Sequence, residues 1–388
     1  MTRQVSRWLC ALAAGLLAGP LPPAAAAADS EPAYDDLPGA KALAVSTERP
    51  GEIRAVSHSR PNALAASLAA REQCQTDAAP DALCEVVRLD DERITTGREI
   101  LSRLPEQRHP LFLWRYRHAG ATLYLAGSVH VLKPTIRPLP RQVLTAFSRS
   151  DYLVLEVNVE AVSPRTLERR TLEYARLPEG QTLGDVLPAA LYDRLARELP
   201  RYGSSLAAVD KAKPALVMNQ LVIGRLMALG YLPDAGLENR LLRRRTDQRI
   251  LELETLESQL ALLFEQPMKT QIELLAETLD MADRVEPALA DMITAWLSGD
   301  DARLLTRFRD QAGNSPLARA FNEQLLDQRN RRMADRISEY LHDPAEPDAV
   351  YFVLVGAAHL VGEDGIVEEL ARRGLPGERL YSDARLPP

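Results

Sequence analysis

The chain has 388 residues, a formal net charge of −7 and 46% apolar residues. Its first 28 residues carry Arg3 and Arg7 and no acid, so the remainder is more acidic still. That balance excludes a nucleic-acid partner, whose phosphate backbone needs a basic footprint, and the apolar share excludes wholesale disorder.

Arg3 and Arg7 precede an apolar run from Trp8 to Ala18, then Pro20, Pro22, Pro23 and alanines up to Ala28. A basic start, a short apolar centre and small residues before Asp29 read as a cleavable signal peptide over residues 1–28. The apolar run is too short to span a hydrocarbon core of roughly 30 Å. Ala215 to Leu229 comes nearest to a later span, but it contains Asn219, Gln220 and Arg225. The expected product is therefore periplasmic or secreted, with no membrane span in the mature chain. Beyond Cys10 only Cys74 and Cys84 remain, and an even pair in an oxidising compartment reads as a disulfide.

Residues 29–108 are expected to form an N-terminal arm or linker. Positions 29 to about 73 are rich in Ala, Pro, Ser and Arg without a sustained period, and Asp81 to Leu104 reads as a short helical segment carrying Cys84. The compact domain is placed at 109–388. Leu111 to Tyr116 and Thr122 to Ala126 read as strands around a His118-Ala119-Gly120-Ala121 turn. Tyr152 to Val157 and Val350 to Val355 are near-continuous apolar runs, as in strands covered on both faces, and Arg249 to Leu253 is a weaker strand. Helical patterns fall at about 188–199, 214–229, 234–246, 256–264, 270–298, 301–312 and 315–342, with a last one between Gly365 and Gly374. Strands separated by helices predict an α/β fold: a central mixed sheet, covering helices, and a large helical insert between the sheet strands.

Two segments carry chemistry. Gly127-Ser128-Val129-His130 follows one predicted strand, and Gly356-Ala357-Ala358-His359 follows another. Glycine lets the backbone turn sharply, and a histidine three residues on is presented at the strand's carboxyl end, where open α/β sheets build their sites. Glu156 lies near the end of the Tyr152 to Val157 strand, where a carboxylate must be paired or metal-bound. Two imidazoles and a carboxylate form a ligand set for a divalent ion, so His130, His359 and Glu156 are the candidate metal ligands. The ligands do not choose among Mn, Co and Zn. Such an ion activates water, which makes a metal-dependent hydrolase. Glu254, after the weaker strand, offers a further polar group and is a candidate catalytic residue beside Glu156, Arg329 and Asn330. Leu317, Phe321, Leu325, Met333, Ile337 and Leu341 recur at helical spacing, with Arg329 at the missing step and Asn330 beside it. A guanidinium near a buried face needs a carboxylate or a substrate oxygen, so Arg329 and Asn330 are expected to orient Glu156 or meet an oxyanion.

Five segments in order resemble the TraB/PrgY/GumN family, which includes the Tiki-type metalloproteases. They are Leu123-Tyr-Leu-Ala-Gly-Ser-Val-His-Val131, Leu153-Val-Leu-Glu156, Leu253-Glu-Thr-Leu-Glu-Ser-Gln259, Gln328-Arg-Asn-Arg-Arg-Met333 and Val353-Leu-Val-Gly-Ala-Ala-His-Leu-Val361. The resemblance covers roughly Pro110 to Tyr381. It implies an α/β fold related to erythromycin-esterase-like and ChaN-like proteins. It also implies a metal-dependent peptidase site that maps onto His130, His359 and Glu156. The leading expectation is an exported, peptidase-like hydrolase of a peptide or other small carbonyl substrate. Its rivals are a metal-independent, esterase-like hydrolase using one histidine as base, and a non-catalytic binding protein of the envelope or of exopolysaccharide assembly.

Overall fold

The computed structural model describes residues 33–79, 82–101, 108–136, 139–281, 285–311 and 315–386. The expected signal peptide, residues 1–28, lies outside them.

The segment expected as a loose arm is folded. β1 (Ala40–Ser46), β2 (Arg54–Arg60), β3 (Cys84–Leu89) and β4 (Glu92–Arg93) form an antiparallel sheet in the order β2-β1-β3-β4. The helix Ala63–Asp77 lies on it, started by Asn62, whose side chain accepts from the Ala65 N–H. The composition misleads here for a packing reason. Ala63, Ala66 and Ala70 on the helix and Ala42 and Ala44 on β1 are all buried. Small residues on both sides let the helix approach closely, so a real interface shows almost no contrast in hydropathy. The stretch from Asp81 likewise departs from expectation: β3 and β4 replace most of the predicted helix, and among the described residues of the stretch only Gly97–Leu101 is helical. A disulfide joins Cys74 on the helix to Cys84 on β3, with Cα atoms 6.0 Å apart.

The main sheet comprises β5 (Pro110–His118), β6 (Ala121–Ser128), β7 (Tyr152–Leu155), β8 (Arg249–Glu252), β9 (Val350–Gly356) and β10 (Glu378–Tyr381). Its order is β10-β5-β6-β9-β7-β8; the last four are mutually parallel, while β5 and β10 run antiparallel at the other edge. The β5–β6 turn uses Ala119 (φ 48°) and Gly120 (φ 101°), the paired positive φ that a two-residue hairpin demands. Successive residues Leu153 and Val154, and Phe352 and Val353, are all fully buried, so β7 and β9 are covered on both faces. This is the α/β architecture with a central mixed sheet, and most of the chain between β7 and β9 is helical, interrupted by β8.

Several predicted helices divide. The 270–298 pattern is Met268–Asp280 and Val285–Ser298. The 315–342 pattern breaks at Leu326 (φ −109°, ψ −72°) into Pro316–Leu325 and Asp327–Leu341. That break explains why the apolar stripe drifts along the sequence. β7 is shorter than expected, ending at Leu155, so Glu156 lies just beyond the strand. Helices Arg141–Ser148 and Pro164–Ala175 and strand β10 were not foreseen. Among the described residues no helix is long and apolar enough to cross a membrane.

A buried polar cluster fastens the small unit to the main sheet just beyond His130. Lys133, fully enclosed, donates to the Thr95 carbonyl and lies 3.8 Å from Glu286 Oε1. Glu286 Oε1 also accepts from the Thr95 N–H at 2.9 Å and from Tyr231 Oη at 3.1 Å. Glu85 Oε1 accepts from Thr135 Oγ1 at 2.6 Å and from the Gly97 N–H. Burial of so many polar groups is tolerable because they satisfy one another.

Candidate active site

Both glycine-to-histidine segments leave neighbouring parallel strands. Ser128 pairs with Gly356 across β6 and β9, so His130 and His359 emerge at the same end of the sheet. β7 flanks β9 on its other side and delivers Glu156 to that end. Glu156 Oε1 accepts the Gly356 N–H at 2.7 Å. A Cβ built on Gly356 would stand 3.5 Å from Glu156 Oε1, from His130 Nε2 and from His359 Cδ2. Three side chains far apart in sequence thus surround one small cradle, and no two of those atoms are separated by more than twice that distance.

Each imidazole is held by its other nitrogen. His359 is buried; its Nδ1 donates to Asn330 Oδ1 at 2.6 Å, and the Asn330 amide is fixed by Nδ2 donating to the Asp364 carbonyl at 2.8 Å. His130 Nδ1 meets Glu238 Oε1 at 2.6 Å, and the same oxygen accepts from Ser128 Oγ. Sequence reasoning missed Glu238. It sits among the charged residues leading into Arg240 to Arg245, and only the tertiary fold separates it from them.

Arg329 is the hub, near the start of the helix Asp327–Leu341. Its Nη2 donates to Glu156 Oε2 and to Glu254 Oε2, each at 2.6 Å. Its Nε spans both Glu254 oxygens at 3.1 and 2.9 Å, and Nη1 reaches His359 Nε2 at 3.1 Å and the Leu325 carbonyl at 3.2 Å. Gln259 Nε2 donates to Glu254 Oε2 at 3.2 Å and Glu156 Oε2 at 3.4 Å. Glu254 therefore anchors Arg329. Asn330, expected as a possible oxyanion donor, has its amide engaged by His359 and Asp364 and instead fixes a ring.

The charges follow from this packing. Burial pushes the Glu156 carboxyl up, but Arg329, the two imidazoles and the Gly356 N–H outweigh it and hold the group well below the carboxylate range. Burial, then Arg329, drives His359 down to about 3. The Glu238 charge raises His130 to about 9 despite desolvation. Burial lowers Arg329, yet Glu156 and Glu254 carry it net upward. The site opens on the His130 side: that side chain is 42% exposed, against 13% for Glu156 and 8% for Arg329.

The donor types suit a transition metal: two imidazoles whose Nδ1 atoms are engaged, a carboxylate, and a cradle that an added methyl would enter. In this arrangement Arg329 holds His359 Nε2 and Glu156 Oε2. Among the described residues no group of three or more His, Cys, Asp or Glu side chains is drawn together tightly enough to hold an ion.

A mostly parallel sheet with two histidines, a carboxylate and an arginine gathered at its carboxyl end defines an α/β protein with a polar cluster at the place where such sheets build their sites. The chain belongs to the TraB/PrgY/gumN family, whose model matches residues 112–379. It is similar to the Uncharacterized protein YbaP of Escherichia coli (strain K12), 25% identical over 253 residues, covering 64% of this chain and 87% of that protein. It is also similar to Metalloprotease TIKI1 of Danio rerio, 25% identical over 317 residues, 68% of this chain and 62% of that protein. Metalloprotease TIKI homolog of Nematostella vectensis is 23% identical over 338 residues, 73% of this chain and 70% of that protein. The chain thus spans less than two thirds of the Danio rerio protein. No solved structure matches. The small N-terminal unit lies outside the family match.

Proposed function

We propose that the protein is an exported, metal-dependent hydrolase of peptide or other small carbonyl substrates. One observation carries the reading: His130 Nε2, Glu156 Oε1 and the His359 ring surround the same point beside Gly356. The metalloprotease relatives support hydrolysis, and the Arg3-to-Ala28 segment together with the Cys74–Cys84 disulfide supports export.

His130 and His359, with Glu156, would hold a divalent ion, Mn, Co or Zn. When bound, such an ion lowers the pKa of water and polarises a carbonyl. The chain's own residues do the rest. Glu156 stays ionised because Arg329 and the imidazoles favour its charge. Asn330 fixes the His359 ring, and Glu254 with Gln259 holds Arg329 in place. Substrate enters past His130, the exposed side of the cluster.

A metal-free variant of the same hydrolase has one observation in its favour: Arg329 Nη1 already occupies His359 Nε2. His130, paired with Glu238 and raised to about 9, would then act as general base towards an ester only in alkaline solution, where its ring is neutral. Metal content of the purified protein, with peptide and ester hydrolysis before and after chelation, separates the two. Bound metal and chelator-sensitive peptide hydrolysis are expected. Full activity without metal moves the reading to the metal-free variant, and unchanged activity in H130A and H359A removes hydrolysis at this site.

A further inference from the structure

Glu238 reaches the site from outside every motif that the sequence advertises. It lies at the start of the helix Leu237–Leu242, and both of its side-chain donors, Ser128 Oγ and His130 Nδ1, converge on one oxygen, Oε1. The backbone on either side is tied to the same loop. Leu237 N–H donates to the Val129 carbonyl at 3.2 Å, and Leu132 and Leu232 pair through reciprocal backbone bonds at 3.2 and 2.9 Å. Gly236 permits this approach, because a Cβ there would stand 2.1 Å from the His130 carbonyl oxygen. The segment 232–238 and the loop 128–132 therefore move as one piece. The Glu238 main chain cannot drift from the loop that carries His130 without breaking this pairing.

We propose that Glu238 is a positioning residue that sets His130. It keeps a hydrogen on Nδ1 and fixes the ring so that Nε2, and not Nδ1, is turned towards Glu156 and His359. Ser128 steadies the accepting oxygen. The consequence for catalysis rests on the hydrolase reading; the tautomer does not. Because one oxygen serves both donors, an amide oxygen at the same place serves equally. Glu238→Gln therefore keeps the arrangement, whereas Glu238→Met fills the space and offers no acceptor.

The test is ¹⁵N NMR of the His130 ring in full-length, metal-free protein, read in the neutral ring, together with titration by Zn²⁺ or Mn²⁺ alone. Wild type and E238Q should show the Nδ1–H tautomer, and E238M should shift towards Nε2–H. Metal affinity should fall about 10–100-fold in E238M and stay within about threefold in E238Q, the range typical of lost support behind a metal-binding histidine. An Nε2–H ring in wild type overturns the proposal without recourse to any variant, so it remains testable if E238M does not fold. An unchanged tautomer in folded E238M also overturns it, as does E238Q falling as far as E238M, which would make charge and not orientation the cause. If wild type binds neither ion and hydrolyses nothing, the hydrolase reading fails while the tautomer comparison still decides on Glu238.

Discussion

The Arg329 guanidinium donates to Glu156 Oε2 at 2.6 Å while its Nε–Nη2 edge is held by Glu254. A buried guanidinium shared by two carboxylates orients the acid that faces the cradle, and it also neutralises charge that burial alone would not tolerate. Arg329→Met leaves two buried carboxylates without the guanidinium that neutralises them, with only the Gly356 N–H, the Gln259 amide and the exposed Arg332 beside them. We expect a loss of about 3–5 kcal/mol in denaturant unfolding, with Arg329→Lys intermediate because it keeps the charge and loses the fork. An R329M protein as stable as wild type would show that the pair contributes nothing to the fold.

Gly356 has ordinary backbone angles, φ −53° and ψ 134°, so alanine is not strained there. The methyl would stand at ordinary contact distance, 3.5 Å, from Glu156, His130 and His359. Gly356→Ala should therefore fold normally yet intrude on the cradle, lowering kcat/KM by roughly 100-fold or more, the scale of a displaced reacting group. Calorimetry and a peptide-hydrolysis assay on one preparation decide it. Wild-type activity in G356A would place the chemistry elsewhere.

The two histidines give metal-free protein opposite pH dependences. His359, held down to about 3 against an ordinary 6.5, is protonated more readily in the unfolded chain, so its contribution is lost as pH falls from 6.5 towards 3. His130, raised to about 9, contributes fully below 6.5, and that contribution is lost as pH rises from 6.5 to 9. Stability measured by urea unfolding should fall on both sides of the ordinary imidazole value. His130→Ala should flatten the alkaline limb, and an unaltered limb in that variant would contradict the His130–Glu238 pairing.

Cys74 and Cys84 close a loop of sequence separation 10 between the helix and β3 of the small unit. Loop entropy alone assigns the bridge roughly 2–3 kcal/mol. Cys74→Ser with Cys84→Ser should lower the unfolding free energy by that amount. Hydrogen exchange should rise first in residues 40–93, with the main sheet protected. Equal loosening throughout would show that the small unit has no separate stability.

Much of the cluster was legible because its members are marked locally. A glycine, two residues and a histidine directly after an apolar run mark the end of a buried strand, and Glu156 stands out against Tyr152 to Leu155. What brings these segments together is the strand order β6-β9-β7, which no local pattern encodes. The small sheet was missed because alanine packs on alanine and leaves no hydrophobic period. β10 was missed because Glu378 and Arg379 put a charged side chain on each face of a four-residue edge strand, which breaks any apolar run. Glu238 was hidden in a charged run and acquires meaning only from the His130 ring beside it.

The proposed function requires His130, Glu156 and His359 to form one metal-binding hydrolytic centre. Anomalous diffraction from crystals equilibrated with Mn²⁺ or Zn²⁺ tests it most directly. The expected result is a peak beside Gly356, held by His130, His359 and Glu156, with Arg329 Nη1 released from His359. Well-ordered density with no peak there, and Arg329 still bridging Glu156 and His359, would contradict it.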